Sequence, residues 1–159
     1  MVIHPIKPIY NENSKILILG SFPSVKSREQ GFFYGHAKNR FWQVLAKLKN
    51  EKIPYTIQEK TEFLIRNNIA VWDVISSCEI RGSADSSIKN VVPNNLEIIL
   101  ENSKVKTIFL NGKTAEKYYN KYLKNNYLIK VITLPSTSPA NAKFSLDMLV
   151  NEWSKILDD

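Results

Sequence analysis

The side chains best suited to chemistry are gathered in a few short segments of the chain. Asn39 ends the run YGHAKN, and three hydroxyls follow one another at Ser136, Thr137 and Ser138. An Asn amide is not a strong base, so its chemistry would be to orient a water molecule or to hydrogen-bond a ligand. Hydroxyls in a loop commonly contact phosphate groups. Asn directly before an amphipathic run is also a favoured helix N-cap, so the sequence around Asn39 is compatible with either role.

Other kinds of catalytic site lack the residues that they need. The segment NGKT at 111–114 resembles the end of a phosphate-binding P-loop, but Thr107 stands where that motif requires a glycine. The two histidines and the single cysteine have no metal-ligand spacing, so we expect neither a metal ion nor a cofactor. A hydrolase triad of His36, Asp73 and a serine is a distant alternative, because the motif G-x-S-x-G is absent.

Four short apolar runs predict the strands that position these residues. The runs are 15–20 (KILILG), 69–73 (IAVWD), 106–111 (KTIFLN) and 128–134 (LIKVITL). Helical patterns separate them, at Phe41 to Leu48, after Thr56, after Pro93, after Thr114 and from about Phe144 to Leu157. Runs that are apolar throughout belong to strands buried on both faces. Strands that alternate with helices predict an α/β fold around a parallel sheet.

This sheet also predicts where a ligand binds. In an open parallel sheet, ligands bind outside the carboxyl ends of the strands. Those ends lead into the segments 20–39, 73–92, 111–114 and 135–143. Three of these segments are long, and long loops are often functional. We therefore expect any site to be built from these four segments, with Asn111 projecting from its strand end toward a ligand.

Composition limits the function without identifying it. The 159 residues predict one domain, 1–159, with a substantial core. Of the 22 basic residues, 18 are lysines, and the lysines from Lys113 to Lys124 have the spacing of a solvated helix face. The net charge of +7 therefore permits nucleic-acid binding but does not establish it. No apolar stretch approaches about 18 residues, so we expect no membrane span. The single Cys78 indicates a reducing cytoplasm as the default compartment.

Three segments resemble the uracil-DNA glycosylase superfamily. They are GSFPS at 20–24 with YGHAKNRFW at 34–42, then GSADSSI at 82–88, and LPSTSPAN at 134–141. The H-x-x-N-R-F-W stretch is similar to that of mismatch-specific uracil/thymine glycosylases. GSFPS, GSADSSI and LPSTSPAN are most similar to the hypoxanthine-DNA glycosylase branch, the sixth family. The likeness spans Gly20 to Asn141, in the order that the family has.

The resemblance implies both a fold and an activity. The fold is a three-layer α/β sandwich with a central four-stranded parallel sheet. The activity is that of a monofunctional glycosylase that removes a deaminated base, chiefly hypoxanthine, from DNA. Phe22 stands where most of the superfamily has a water-positioning Asp or Asn, and Leu134 where it has His or Asn. Both departures fit the hypoxanthine branch, in which the resemblance implies that Asn39 is the catalytic residue.

The remaining site residues are predicted from the same motifs, and Asn111 from its strand end. The base-binding residues are Gly20, Ser21, Phe22, Tyr34, Asp85, Ser86 and Asn111, and the DNA-binding residues are Pro23, Ser24, Ser136, Thr137 and Ser138. Tyr34 would stack on a base flipped out of the duplex, although its residue type fits a core position equally well. Asp85 could instead cap a turn, and Arg40 could bind phosphate or be exposed.

The expected partner is DNA that contains a deaminated base. We expect no membrane or metal partner and a monomer, although nothing in the sequence reports the oligomeric state directly. Two alternatives remain open. One is a mismatch-specific uracil-DNA glycosylase, and the other is a module that binds damaged bases without catalysis.

Overall fold

The computed structural model describes residues 1–158. In chain order the strands are β1 (Val2–Ile3), β2 (Ile16–Gly20), β3 (Ile69–Asp73), β4 (Ile75–Glu79), β5 (Lys89–Pro93), β6 (Thr107–Asn111) and β7 (Lys130–Leu134). The helices are α1 (Val25–Gln30), α2 (Phe41–Lys49), α3 (Ile57–Arg66), α4 (Glu97–Leu100), α5 (Lys113–Tyr122) and α6 (Leu146–Trp153), with 3-10 turns at Asp85–Ser87 and Ser154–Asp158. Within this range, no helix combines the length and the apolar character needed to cross a bilayer.

The centre of the fold is a parallel sheet with the strand order β3-β2-β6-β7. Its four strands are the four predicted from the apolar runs. Successive residues of β2 face opposite sides, as the pleat requires. Ile18 packs in an apolar cluster with Phe41 of α2 and Trp153 of α6, whereas Leu17 packs with Tyr119 of α5 on the other side. Helices therefore cover both faces, which confirms the three-layer α/β sandwich.

A second, antiparallel sheet has the order β1-β4-β5 and was not predicted. Its strands β4 and β5 occupy nine of the twenty residues of the segment 73–92, which we expected to be a loop. The sequences ISSCE and KNVVP are largely half-buried or exposed and carry serine, lysine and asparagine, residues more typical of turns. Their strand pairing comes from tertiary contacts rather than from an apolar pattern.

The N-terminal segment is attached to the outer edge of the parallel sheet. The N–H of Ile9 donates to the carbonyl of Val71 at 3.0 Å, and the N–H of Val71 donates back at 2.9 Å. The N–H of His4 donates to the carbonyl of Ser76 at 2.8 Å. These bonds cover an otherwise exposed edge strand. They also bring residue 4 to the carboxyl end of β3.

Two of the predicted helices begin with a side-chain cap. Thr56, after which the sequence predicts a helix, caps α3 in a reciprocal capping box with Glu59. The predicted last helix begins at Leu146, because the Ser145 hydroxyl accepts the N–H of Met148 there. Helix α1 was missed within the segment 20–39, because six residues are too few to show helical periodicity.

Candidate active site

The predicted site residues lie along the carboxyl edge of the parallel sheet. Gly20 at the end of β2 is in register with Asp73 of β3, and Asn111 of β6 is in register with Leu134 of β7. The segments that follow these four strand ends carry the three sequence motifs. The sheet topology therefore brings the motifs to one edge, as expected for a parallel sheet.

Arg40 joins the first motif segment to the last. Its backbone N–H donates to the carbonyl of Thr137 at 3.1 Å. Its guanidinium donates to the carbonyls of Ser138 at 3.2 Å, Asn141 at 3.1 Å and Phe144. The exposed alternative for Arg40 is wrong, since the residue is half-buried, and three of its five guanidinium N–H donors are used on this loop, so the phosphate contact stays a prediction. Arg40 thereby holds its neighbour Asn39 beside residues 136–144.

Asn111 forms a second link to the same loop. Its Nδ2 donates to the Thr137 hydroxyl at 3.1 Å, and its Oδ1 accepts the N–H of Thr137 at 3.1 Å. Thr137 is completely buried. Both ends of the Asn111 amide are thus engaged in positioning the loop, and any base contact through its remaining N–H stays a prediction.

The middle motif packs against the first. The Ser83 hydroxyl accepts the N–H of Val25 at 2.9 Å, and Arg28 donates to the carbonyl of Gly82 at 2.6 Å. Asp85 accepts a hydrogen bond from the Thr114 hydroxyl at 3.0 Å. The three motif segments therefore form one connected surface, although they are far apart in the chain.

Asn39 lies at the start of α2 and has one end of its amide free. Its Oδ1 accepts the N–H of Phe41 at 2.9 Å and so satisfies a free N–H in the first turn of α2, although the N-cap position is Arg40 and not Asn39 as the alternative interpretation expected. Among the described residues, the Nδ2 group forms no hydrogen bond, and the side chain is half-buried. Because the Phe41 N–H occupies the oxygen, the NH₂ end is the one left for another partner. Capping and ligand binding are therefore compatible at Asn39.

Tyr34 is half-buried, as the core alternative for this residue expected. It adopts a left-handed backbone conformation, with φ 53°, and its ring stacks on Phe41 with centroids 3.8 Å apart. One face of the ring is thus covered, and only the other is available to stack on a base. The Tyr34 hydroxyl is buried and makes no hydrogen bond of good geometry, although the Asn111 side chain lies near it. Burial, followed by the negative charge of Asp73, raises the pKa of this hydroxyl above its usual value, and the Asn111 side chain opposes part of that rise.

The raised pKa of Tyr34 predicts a loss of stability at high pH. The folded protein favours the neutral hydroxyl, so its contribution is complete below the unfolded pKa of about 10 and falls as the pH rises above that value. We expect Tyr34→Phe to reduce this loss. The measurement compares urea midpoints of the two proteins at about pH 8 and about pH 10.5. Equal losses in both proteins would contradict the assignment, since the other buried tyrosines are common to both.

Two residues that the sequence did not single out as a pair meet at this edge. His4 Nε2 lies 2.7 Å from Asp73 Oδ2, and both side chains are buried. The His4 ring also packs edge-on against Phe22, with centroids 5.8 Å apart. From the sequence alone, His4 is a candidate only for metal binding and Asp73 only for a hydrolase triad. No local pattern could have joined residues that are 69 positions apart.

The predicted DNA contacts divide according to burial. Pro23 and Thr137 are buried, so neither fits the predicted phosphate contact. Ser24 caps α1 by accepting the N–H of Ser27 at 3.2 Å. The half-buried residues are Ser21, Ser24, Ser136 and Ser138, and the exposed ones are Asp85 and Ser86. The phosphate contacts of Ser24, Ser136 and Ser138 therefore stay predictions, as do the base contacts of Ser21, Asp85 and Ser86.

Two surface cavities lie away from these motifs. One of about 370 Å³ is lined in part by Met1 and Arg81, and one of about 650 Å³ by Glu97 and Lys130. Neither contains Asn39 or any of the residues predicted to bind base or DNA. The ligand site is thus argued from the converging motif segments and not from either of these cavities.

Comparisons with known proteins agree with one another. The model of the family described as the uracil DNA glycosylase superfamily matches residues 7–157. Proteins named hypoxanthine DNA glycosylase are 32% identical over 158 residues in Methanosarcina acetivorans, covering 98% of each chain, and 32% identical over 150 residues in Methanosarcina barkeri, covering 93% of each. A solution NMR structure from Methanosarcina acetivorans, described as a candidate uracil DNA glycosylase, has a TM-score of 0.82 at 31% identity and covers 98% of this chain and 96% of that one.

Proposed function

We propose, because this chain belongs to the uracil DNA glycosylase superfamily, that it hydrolyses the N-glycosidic bond of a deaminated base, chiefly hypoxanthine, flipped out of DNA. The observation that carries this proposal is the placement of Asn39. Its amide oxygen is fixed by the N–H of Phe41, its NH₂ group has no hydrogen bond among the described residues, and its neighbour Arg40 bonds to the last motif segment. The two named relatives support hypoxanthine as the base.

In the proposed reaction, the bond to the sugar breaks with oxocarbenium character, by analogy with O-glycosides. Asn39 orients the attacking water, since a carboxamide is too weak a base to take its proton early. The backbone N–H groups of Ser21 and Phe22 contact the carbonyl oxygen of the leaving base. Such preorganised donors typically contribute about 3 kcal/mol each to a transition state.

The reaction stops at base removal in this proposal. Lys38 is adjacent to Asn39 but exposed, and no lysine of the motifs matches a nucleophile's place. The product is then an abasic site in an intact strand. A single domain, 1–159, acting as a monomer in the cytoplasm completes the proposal.

A panel of labelled duplexes tests this function. Each duplex carries one deoxyinosine, deoxyuridine, deoxyxanthosine or ethenoadenine, and each is analysed with and without alkali. We expect deoxyinosine to give the most alkali-labile product, and no strand break without alkali. Tight binding of the deoxyinosine duplex without labile product would instead indicate a binding module.

Uracil removal is the second candidate, and the description of the similar solution structure favours it. The Phe22 ring packs against His4 and lies 5.6 Å from the Arg28 guanidinium, so this position supplies no oxygen to hold a water. We therefore expect deoxyuridine to be the poorer substrate in the panel.

A further inference from the structure

Arg28 lies at the junction of the first and middle motif segments. It belongs to α1, and its Nη2 donates to the carbonyl of Gly82 at 2.6 Å. The N–H of Val25, the first residue of the same helix, donates to the Ser83 hydroxyl at 2.9 Å. The guanidinium also lies 5.6 Å from the centroid of the Phe22 ring, a distance at which a cation and an aromatic face attract each other. These contacts hold the head of Arg28 between Phe22 and the middle motif segment.

The protein does not neutralise the charge of Arg28. Within residues 1–158, its guanidinium forms no ion pair with a carboxylate, and its neighbour on the helix, Glu29, is exposed. An arginine side chain stays protonated at physiological pH, and the half-buried position has removed part of its hydration. Only a neutral carbonyl and an aromatic ring compensate for that loss. An anion bound at Arg28 would supply the missing countercharge.

Most of the hydrogen-bond donors of Arg28 are unused. A guanidinium carries five N–H groups, and the bond to Gly82 uses one of them. Nε is enclosed by the protein and has no partner. Nη1 forms no hydrogen bond in the described part of the chain either, but it is not enclosed. Arg28 thus differs from Arg40, which uses three donors within the protein. The Nη1 end is therefore the part of Arg28 that a ligand can reach.

We propose that Arg28 binds a backbone phosphate of DNA beside the flipped nucleotide. A phosphate is an anion whose oxygens match the guanidinium donors, whereas an uncharged base supplies no countercharge. Residues 21–24 connect the carboxyl end of β2 directly to α1, so Arg28 lies at the edge of the sheet to which the proposed function assigns DNA. Phe22, on which Arg28 packs, is one of the predicted base-binding residues. This inference rests on the proposed function, because it takes DNA as the ligand.

Substitutions that separate charge from hydrogen bonding test this contact. Arg28→Gln removes the charge but keeps a donor for the carbonyl of Gly82, so the junction between the motif segments can remain. Arg28→Lys keeps the charge. The matched control is Arg66→Gln, which removes the same charge from the end of α3. Arg66 precedes β3 and therefore lies toward the amino edge of the sheet, away from the motifs.

The probe is a fluorescent duplex with one tetrahydrofuran abasic-site analogue, which has no base to release. Anisotropy gives its Kd at salt concentrations from about 50 to 200 mM. We expect Arg28→Gln to reduce the magnitude of the slope of log affinity against log salt by about one. At the lowest salt its affinity should fall about tenfold, because one charge-assisted contact is lost. Arg28→Lys should keep the native slope, and Arg66→Gln should match the native protein in slope and affinity.

Three outcomes overturn the inference. An unchanged slope in Arg28→Gln leaves Arg28 only its contact between motif segments. A slope in Arg28→Lys as low as in Arg28→Gln shows that charge is not what the position supplies. An equal fall in Arg66→Gln shows that net charge explains the effect. Urea midpoints check that each variant folds.

The native protein decides the question if Arg28→Gln does not fold. Phenylglyoxal modifies accessible arginines, and mass spectrometry of peptides reports the rate at Arg28. A saturating amount of the duplex should slow this modification at Arg28 and leave the rate at Arg66 unchanged. An equal rate at Arg28 with and without the duplex overturns the inference.

These measurements are independent of base release, because the probe carries no base. A native protein that releases no hypoxanthine, together with a reduced slope in Arg28→Gln, removes the proposed function and leaves the phosphate contact in place. Release of hypoxanthine together with an unchanged slope removes the phosphate contact and leaves the proposed function.

Discussion

Asn39→Ala is expected to lower the rate of hypoxanthine release by about 100- to 1,000-fold, the usual cost of removing one preorganised hydrogen-bonding group from a reacting centre. Affinity for the duplex should change little, because the Arg40 and Asn111 contacts that hold the 136–144 loop remain. Single-turnover release from a deoxyinosine duplex and anisotropy with the same duplex measure the two effects. Retention of most of the release rate would remove Asn39 from the mechanism.

A serine at the same position separates catalysis from helix capping. Asn39→Ala removes the acceptor for the N–H of Phe41 and should cost about 1 kcal/mol of unfolding free energy. Asn39→Ser restores a capping oxygen, so its stability should approach that of the native protein. Its release rate should nevertheless stay as low as that of the alanine variant. Native activity in the serine variant would show that the cap alone is required.

The parallel sheet could be predicted because each of its strands is an apolar run between clear breaks. Ile16–Gly20 is buried at every position, and an apolar run of this kind is typical of a central strand. Strands β4 and β5 lack that signal, since their pairing depends on contacts with β1 and with each other. Residues that are half-buried in a small second sheet do not differ in type from residues of a loop.

The site was predictable only as far as its motifs extend. Asn39 and the 134–141 segment were assigned to one site, and the structure brings them together through Arg40. The pairing of His4 with Asp73 depends on β1 reaching β4, which no spacing in the sequence reveals. Burial also decided against the phosphate contact predicted for Thr137, because a short hydroxyl in a loop can bond inward as readily as outward.

Arg40→Ala is expected to be the most destabilising substitution near the site, at about 3 kcal/mol. The guanidinium donates to three carbonyls of the loop at 138–144, and hydrogen bonds to a charged group contribute about 1.5 to 3 kcal/mol each, partly offset here because a half-buried loop can regain water. Hypoxanthine release should fall with it, since the loop is no longer held beside Asn39. Urea unfolding and single-turnover release measure both effects.

Arg40→Lys distinguishes the hydrogen bonds that Arg40 donates to the loop at 138–144 from a contact with phosphate. A lysine keeps the charge but cannot place donors on three carbonyls at once, so it should recover little of the lost stability. If Arg40 bound phosphate, Arg40→Ala would lower the slope of log affinity against log salt by about one, and lysine would restore it. Because three of its five N–H donors are used within the protein, we expect the slope to be the same in the native protein and both variants. A salt-dependence slope that falls in the alanine variant and is restored by lysine would contradict the structural role that we assign to Arg40.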